Sequence, residues 1–347
     1  MVASLELALE RYPRVSLTRL PTPLQSLPIL SKHLNLQVWM KRDDLTDLTL
    51  GGDKPRKLEY ELAKALASEA DTLVTCGSAQ SNHARLTTAA ARKLGLHCEV
   101  ILSSDQYQKL QGNLLTVYLM GAQVHFVQTS DHWDLEQHVQ QVCAKLRAQG
   151  RKPYYIPVSG TTPHSCLGYI RCGLEIGQQL AEQRVQPDAI YAPFGTGGIF
   201  TALLLSLRAQ GISCPLIGIS VNQRREHCYK AVEQWWSELS RLLDCDSTLP
   251  RGQYEIYDEF IGREYGDPTE ASLDAIMLMA QTEGILLDPV YSGKMMAGFL
   301  AHHTSGRWSA GQKILLLHSG GIPAIFAYHQ ELKDHLSRRG AIPDSLS

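Results

Sequence analysis

The stretch Gly51-Gly52-Asp53-Lys54-Pro55-Arg56-Lys57-Leu58-Glu59 decides the reading of the whole chain. Paired glycines permit a tight backbone path that side chains would block. Pro55 presets the first turn of a helix, and the spacing of Leu58, Leu62, Ala63 and Leu66 carries that helix on. Lys54 therefore stands where a loop becomes a helix, with Arg56 and Lys57 adding positive charge close by. That field and burial together favour the neutral, nucleophilic amine, and such an amine condenses with an aldehyde to a Schiff base. In isolation the better reading of such a lysine is a solvated, basic helix start; the rest of the chain overturns it.

Upstream, a strand at 38–41 runs through Arg42-Asp43-Asp44-Leu45-Thr46 into this loop, and Leu20-Pro21-Thr22-Pro23-Leu24 is a proline-stiffened extended segment. Asp43 and Asp44 beside Lys41 and Arg42 read as a salt-bridged turn in preference to a metal site. Downstream, apolar strands at 71–76, 99–102, 123–127, 153–157, 188–193, 216–221 and 314–317 alternate with helical stretches. The helices are expected around 86–94, 110–120, 134–149, 168–180, after 198, and at 269–281. The alternation predicts an α/β protein with mostly parallel sheets flanked by helices. A chain of 347 residues exceeds one compact core, so two domains are expected. The segment 223–263 reads as more polar and irregular, with Trp235-Trp236 on a helix as a packing or oligomer contact.

Composition narrows the function. A net charge of -2 argues against a nucleic-acid or membrane-surface footprint, and no apolar run is long enough to span a bilayer. The first nine residues include Glu6 and lack the layout of a signal peptide, so a cytoplasmic location is the default. Eight cysteines without a CxxC pair read as reduced thiols, and the absence of HExxH leaves no expected metal site.

Three strand–turn–helix junctions carry the chemistry. Each offers unpaired N–H groups at a helix start, which favour an anion. Gly195-Thr196-Gly197-Gly198 leaves room for a phosphate. It lacks the third glycine of a dinucleotide fingerprint, whose acidic residue is replaced by Ser220, Val221 and Asn222, and it lacks the Gly-Lys-Ser/Thr of a P-loop. Ser78 to His83 suits a carboxylate, with Ser81 able to move a proton or, more blandly, to cap the helix for about 1 kcal/mol. His318-Ser319-Gly320-Gly321 puts Ser319 just past the C-terminal end of a strand, where open α/β sheets bind ligands. A phosphate seat, an attacking lysine, a carboxylate pocket and a strand-end hydroxyl together describe a pyridoxal-phosphate enzyme.

From Pro21-Thr22-Pro23 to Ala327-Tyr328 the chain resembles the fold-type-II, tryptophan-synthase-β-like pyridoxal-phosphate enzymes. Within them it is most similar to the D-cysteine desulfhydrase and 1-aminocyclopropane-1-carboxylate (ACC) deaminase family. The resemblance rests on Lys41-Arg42-Asp43-Asp44-Leu45, Gly51-Gly52-Asp53-Lys54, Gln80-Ser81-Asn82-His83, Asp288-Pro289-Val290-Tyr291 and His318-Ser319-Gly320-Gly321. It implies that Lys54 holds the cofactor, that Gly195, Thr196, Gly197 and Gly198 bind its phosphate, and that Asn82 meets its phenolic oxygen. Ser81, Asn82, His83 and Ser292 are implied to face the substrate, and Tyr265 and Tyr291 to line the reaction side with Lys54 and Ser81 as catalytic groups. A homodimer, a small amino-acid substrate and a large domain of residues 1–53 plus 166–347, with 54–165 inserted as the small one, follow from the same likeness.

Two positions divide the family. ACC deaminases have glutamate after the Asp-Pro-Val-Tyr tyrosine and leucine in the His-x-Gly-Gly motif; Ser292 and Ser319 stand here instead, the pattern of the desulfhydrases. A hydroxyl at the ring nitrogen, taken as Ser319 with Ser292 its neighbour, makes a weaker electron sink. That suffices when thiolate leaves the β-carbon. The expected reaction is β-elimination on a β-substituted D-amino acid, D-cysteine above all, with ACC deamination, L-cysteate sulfo-lysis and cofactor binding with little turnover as the alternatives. Two departures stand out: the family's usual asparagine before the lysine is Asp53, and the usual threonine after the glycine loop is Ile199, with Thr196 or Thr201 able to replace its hydroxyl.

Overall fold

The computed structural model describes residues 2–343 apart from 105, 106, 130, 132, 133 and 247. Among them, ten strands form two sheets: β1 (Leu24–Ser26), β2 (Gln37–Arg42), β3 (Thr72–Ser78), β4 (His97–Ser103), β5 (Gln123–Val127), β6 (Pro153–Ile156), β7 (Ala189–Phe194), β8 (Leu216–Ser220), β9 (Tyr254–Tyr257) and β10 (Lys313–His318). One sheet has the order β1-β2-β10-β7-β8-β9 and the other β5-β4-β3-β6. Every pairing is parallel except β1 with β2. The chain is thus the mostly parallel α/β fold expected.

Parallel strands covered on both faces must be apolar throughout, and all six residues of β7 are buried. Side chains alternate between the faces. Ile190, Ala192 and Phe194 join Leu315 and Leu317 in a core with the helices Pro163–Gln183 and Gly198–Ala209. Ala189 and Tyr191 join Ile314 and Leu316 in a second core with Glu270–Glu283 and Ser292–Thr304. The smaller sheet has its own pair of cores: Leu73, Val100 and Leu102 on one face, Val74, Cys76 and Ile101 on the other.

The helix that Lys54 begins, Lys54–Ala67, is shared between the sheets. Leu58 and Leu62 pack in the core of the smaller sheet, while Tyr60 packs in that of the larger. Gly168 lets the helix Pro163–Gln183 come close, since a Cβ there would overlap the Arg56 carbonyl. Arg56 then anchors the helix to the sheet: its guanidinium meets Asp43 at 2.8 and 2.9 Å and Glu175 at 2.9 and 3.0 Å. Glu175 also pairs with the buried Lys41, and Tyr169 donates to Asp43 at 2.8 Å. The expected salt-bridged turn at 43–44 is therefore split. Asp44 does pair with Arg42, at 2.7 Å, but Asp43 turns inward to Arg56.

The segment read as irregular is a 19-residue helix, Arg225–Leu243, followed by β9. Its buried stripe Cys228, Val232, Trp236, Leu239 and Leu243 has helical spacing, but the polar residues between diluted the signal. All eight cysteines are free thiols, as expected.

Candidate active site

A cleft of about 570 Å³ opens at the C-terminal ends of β3, β7 and β10. Lys54, Ser81, Asn82, His83, Gly195, Thr196, Gly197, Tyr265, Tyr291 and Ser319 all line it. Gly198 and Ser292 do not. Gly198 begins the helix Gly198–Ala209, where a Cβ would strike Thr161 and Cys166. Ser292 is fully buried, and its hydroxyl donates to Asp288 at 2.6 Å.

Glycine chemistry positions the lysine. A Cβ on Gly51 would overlap the Asp44 carbonyl oxygen, and one on Gly320 would collide with the Cα of Gly52. With φ of +64° and +129° at Gly51 and Gly52, the lysine loop lies directly against the 318–321 turn, and the Asp53 N–H donates to the Ser319 carbonyl at 2.9 Å. Lys54 is 9% exposed. Its Nζ reaches both carboxylate oxygens of Asp53, at 2.8 and 2.7 Å, and lies 5.8 Å from the ring centroid of Tyr291.

Tyr291 is aimed by its own motif. The buried Asp288 accepts from the N–H groups of Val290, Tyr291 and Ser292 at 2.7 to 2.9 Å, which turns the chain into the helix Ser292–Thr304. The hydroxyls of Tyr291 and Tyr265 are 2.7 Å apart. Burial, with Tyr265 beside it, pushes the Tyr291 phenol well above its usual range, so it keeps its proton at neutral pH.

On the smaller sheet's side, Ser81 caps the helix Asn82–Lys93 by accepting from Ala84 N–H at 3.1 Å while still lining the cleft, so capping leaves its own O–H able to donate there. The Asn113 side-chain N–H donates to Oδ1 of Asn82 at 2.8 Å, which leaves the Asn82 side-chain amide N–H groups to donate elsewhere. Asn113 is itself held by Arg85 at 2.6 Å. His83 sits 2.9 Å from the Thr75 hydroxyl, which already donates to the Ile156 carbonyl. The ring therefore carries its proton on Nε2, and burial with Lys57 and Lys54 nearby keeps it neutral.

The 195–198 turn is stiffened by residues that motif reading passed over. Gly197, at φ +88°, caps the helix Gly198–Ala209. Trp235 packs against Gly197 and donates its indole N–H to the Thr196 carbonyl at 2.9 Å, so this tryptophan buttresses the loop. Thr201 is spent on the Gly197 carbonyl at 2.9 Å, whereas the Thr196 hydroxyl lies 2.9 Å from that of Thr161. Thr161 accepts at 2.7 Å from Lys57, one turn along from Lys54, which burial and the Lys54 charge bring down to about 7. Lys57 was legible only as nearby charge; Asn113 and Trp235 left no motif at all.

The amine of Lys54 and the glycine turn 195–198 open to the same cleft on this two-sheet fold. Comparison with known proteins gives the class: a fold-type-II pyridoxal-phosphate enzyme. The family model described as "Pyridoxal-phosphate dependent enzyme" matches residues 15–320, and the chain belongs to that family. It is 38% identical over 334 residues to a D-cysteine desulfhydrase of Serratia proteamaculans (strain 568), covering 95% of this chain and all of the relative. It is equally 38% identical over 329 residues to one of Klebsiella pneumoniae subsp. pneumoniae, covering 93% and 98%. A crystal structure of an ACC deaminase homologue superposes with a TM-score of 0.88 at 35% identity, covering 97% of this chain and all of that one. These place the chain in the D-cysteine desulfhydrase and ACC deaminase branch. The donor set fits the cofactor: a sheltered amine, backbone N–H groups bounded by glycines, a second buried lysine beside them, and an amide donor between.

Proposed function

We propose that this enzyme is a lyase that removes sulfide from D-cysteine, leaving pyruvate and ammonia. The observation that carries the reading is that Lys54 and the Tyr291–Tyr265 pair open onto one cleft, in a chain 38% identical to a D-cysteine desulfhydrase over 95% of its length. In this reading Lys54 holds the cofactor, and the 195–198 turn, with Thr196 and Lys57, takes its phosphate. Asn82 donates to the phenolic oxygen and Ser319 faces the ring nitrogen. When bound, pyridoxal phosphate supplies an electron sink for the pair left as the α-proton departs. Lys54 accepts that proton. Ser81 and the backbone N–H of His83 at the helix start hold the substrate carboxylate, and Tyr291, a phenol kept protonated by burial and Tyr265, hands a proton to the departing sulfur. Water hydrolyses the released aminoacrylate.

Charge favours this substrate over L-cysteate. The described lining of the cleft carries Asp53, Asp131 and Glu264 against Lys54, a poor reception for a sulfonate. The reading extends to a cytoplasmic location, in keeping with the free and mostly buried thiols, and to a homodimer, which the resemblance implies. It also takes 54–165 as the smaller, inserted domain, supported by β3 to β6 falling inside those limits.

The test is a parallel assay of D-cysteine, L-cysteine, ACC and L-cysteate, following sulfide, sulfite and ketoacid. Sulfide and pyruvate from D-cysteine alone are expected. A ketoacid from ACC, or sulfite from cysteate, as the main product would overturn the assignment.

A further inference from the structure

Asp53 stands directly before Lys54 in the glycine loop, and the structure shows where its carboxylate goes. The residue is 4% exposed and both of its oxygens lie on Lys54 Nζ, at 2.8 and 2.7 Å. Its backbone is held in place by the bond to Ser319 and by the Gly52–Gly320 contact, so the side chain has little freedom to turn away. An asparagine in this pose would offer one neutral oxygen where the aspartate offers two charged ones.

The charged groups around the pair are few. Lys57 lies one turn along the same helix. Arg85 faces Asp53 from the helix Asn82–Lys93; its guanidinium bonds to the Thr49 and Gly51 carbonyls and to Asn113, with no carboxylate in contact among the described residues. Burial lowers Arg85 to about 10, and the Asp53 charge is what opposes that fall. Tyr291, from the 288–291 turn, and Tyr169, from the helix Pro163–Gln183, both feel Asp53 as a negative charge, and His83 is neutral. Lys57, Arg85, Tyr291 and Tyr169 are thus the titratable groups beyond Lys54 that Asp53 faces.

We propose that Asp53 is a positioning residue that parks Lys54: whenever Nζ is free of the cofactor, the carboxylate binds it as the ammonium. The inference rests on Lys54 being the cofactor lysine, not on the identity of the substrate. An ammonium has no lone pair. To capture pyridoxal phosphate it must first release a proton to solvent; nitrogen then attacks the aldehyde carbon, a C=N bond replaces C=O, and the oxygen leaves as water. The clamp therefore makes capture slow at neutral pH and faster as pH rises.

The test uses the full chain stripped of cofactor, wild type beside Asp53→Asn and Asp53→Ala, mixed with pyridoxal phosphate across about pH 6 to 11, a range that passes the ordinary lysine value. The yellow absorbance gives the capture rate, and circular dichroism confirms that each protein is folded. At neutral pH the uncharged variants should capture about tenfold faster, a displacement of the rate profile by about one pH unit, and the difference should close at the alkaline end. Either variant suffices if the other fails to fold. Wild type alone gives a further check, since a capture rate flat across the range overturns the clamp. Variants with the wild-type profile, or with a change uniform at every pH, overturn it too while leaving Lys54 as the cofactor lysine. Failure of every protein to turn yellow overturns both readings.

Discussion

Tyr291→Phe isolates the proton delivered to the leaving group. The phenol lies beside Lys54, with 5.8 Å from Nζ to the ring centroid, and its hydroxyl is 2.7 Å from that of Tyr265. Losing one neutral hydrogen bond costs about 1 kcal/mol, roughly a fivefold effect. Losing a positioned general acid costs about 10²- to 10⁴-fold, equivalent to about 3–5 kcal/mol. The D-cysteine thiol ordinarily titrates near about 8.5, and its thiolate form could leave only as the sulfide dianion, so a proton kept on or given to the sulfur matters for D-cysteine. Chloride needs none. The kcat/KM for D-cysteine should therefore fall about 10²- to 10⁴-fold in the variant, while that for β-chloro-D-alanine should fall less than about tenfold. Pyruvate release from the two substrates is measured side by side on one preparation, with cofactor content checked by absorbance. Equal losses on both substrates would refute acid assistance and assign Tyr291 to positioning alone.

Lys57→Met should weaken pyridoxal phosphate binding about tenfold, read by titration, because a charge beside the phosphate turn is lost. The same variant tests a pH dependence. Lys57 is brought down to about 7 in the fold from 10.5, so between those values the unfolded chain binds the extra proton. The cofactor-free wild type should gain stability as pH rises from about 7 towards 10.5, and urea midpoints of the variant should lose that gain. Asp43→Asn takes one of two carboxylates from the buried Arg56, leaving Glu175, and should cost about 1–3 kcal/mol by urea unfolding. Burial opposes ionisation of Asp43, but Arg56 and Lys41 outweigh it and hold its pKa below the usual value. Its stabilisation is thus present above the ordinary carboxylate range and lost as pH falls through the lowered value, an acid limb the variant should lack. Asn113→Ala releases the Asn82 amide to rotate, and cofactor affinity should drop about fivefold, or about 1 kcal/mol, by the same titration.

The strand–helix alternation was legible because buried parallel strands such as β3 and β7 must be written as short apolar runs. The lysine loop was legible because only glycine tolerates the contact between Gly52 and Gly320. What stayed hidden depends on partners distant in sequence. Asp43 sits among basic neighbours, yet it turns to Arg56, 13 residues away, and to Tyr169, 126 away. Ser292 reads as a cleft hydroxyl from its place after Tyr291, but the first turn of its helix hands it to Asp288. Trp235 reads as packing, and only the folded path of the 195–198 turn gives its indole N–H a carbonyl to hold. The side to which Asp53 faces is likewise a property of the folded loop.

The central claim is that Lys54, and not the buried Lys57 one turn away, carries the cofactor. Borohydride reduction of the yellow protein, followed by proteolysis and mass spectrometry, tests this directly. The account expects the pyridoxyl mass on Lys54 and an unmodified Lys57. A label on Lys57, or none on either lysine, would contradict it.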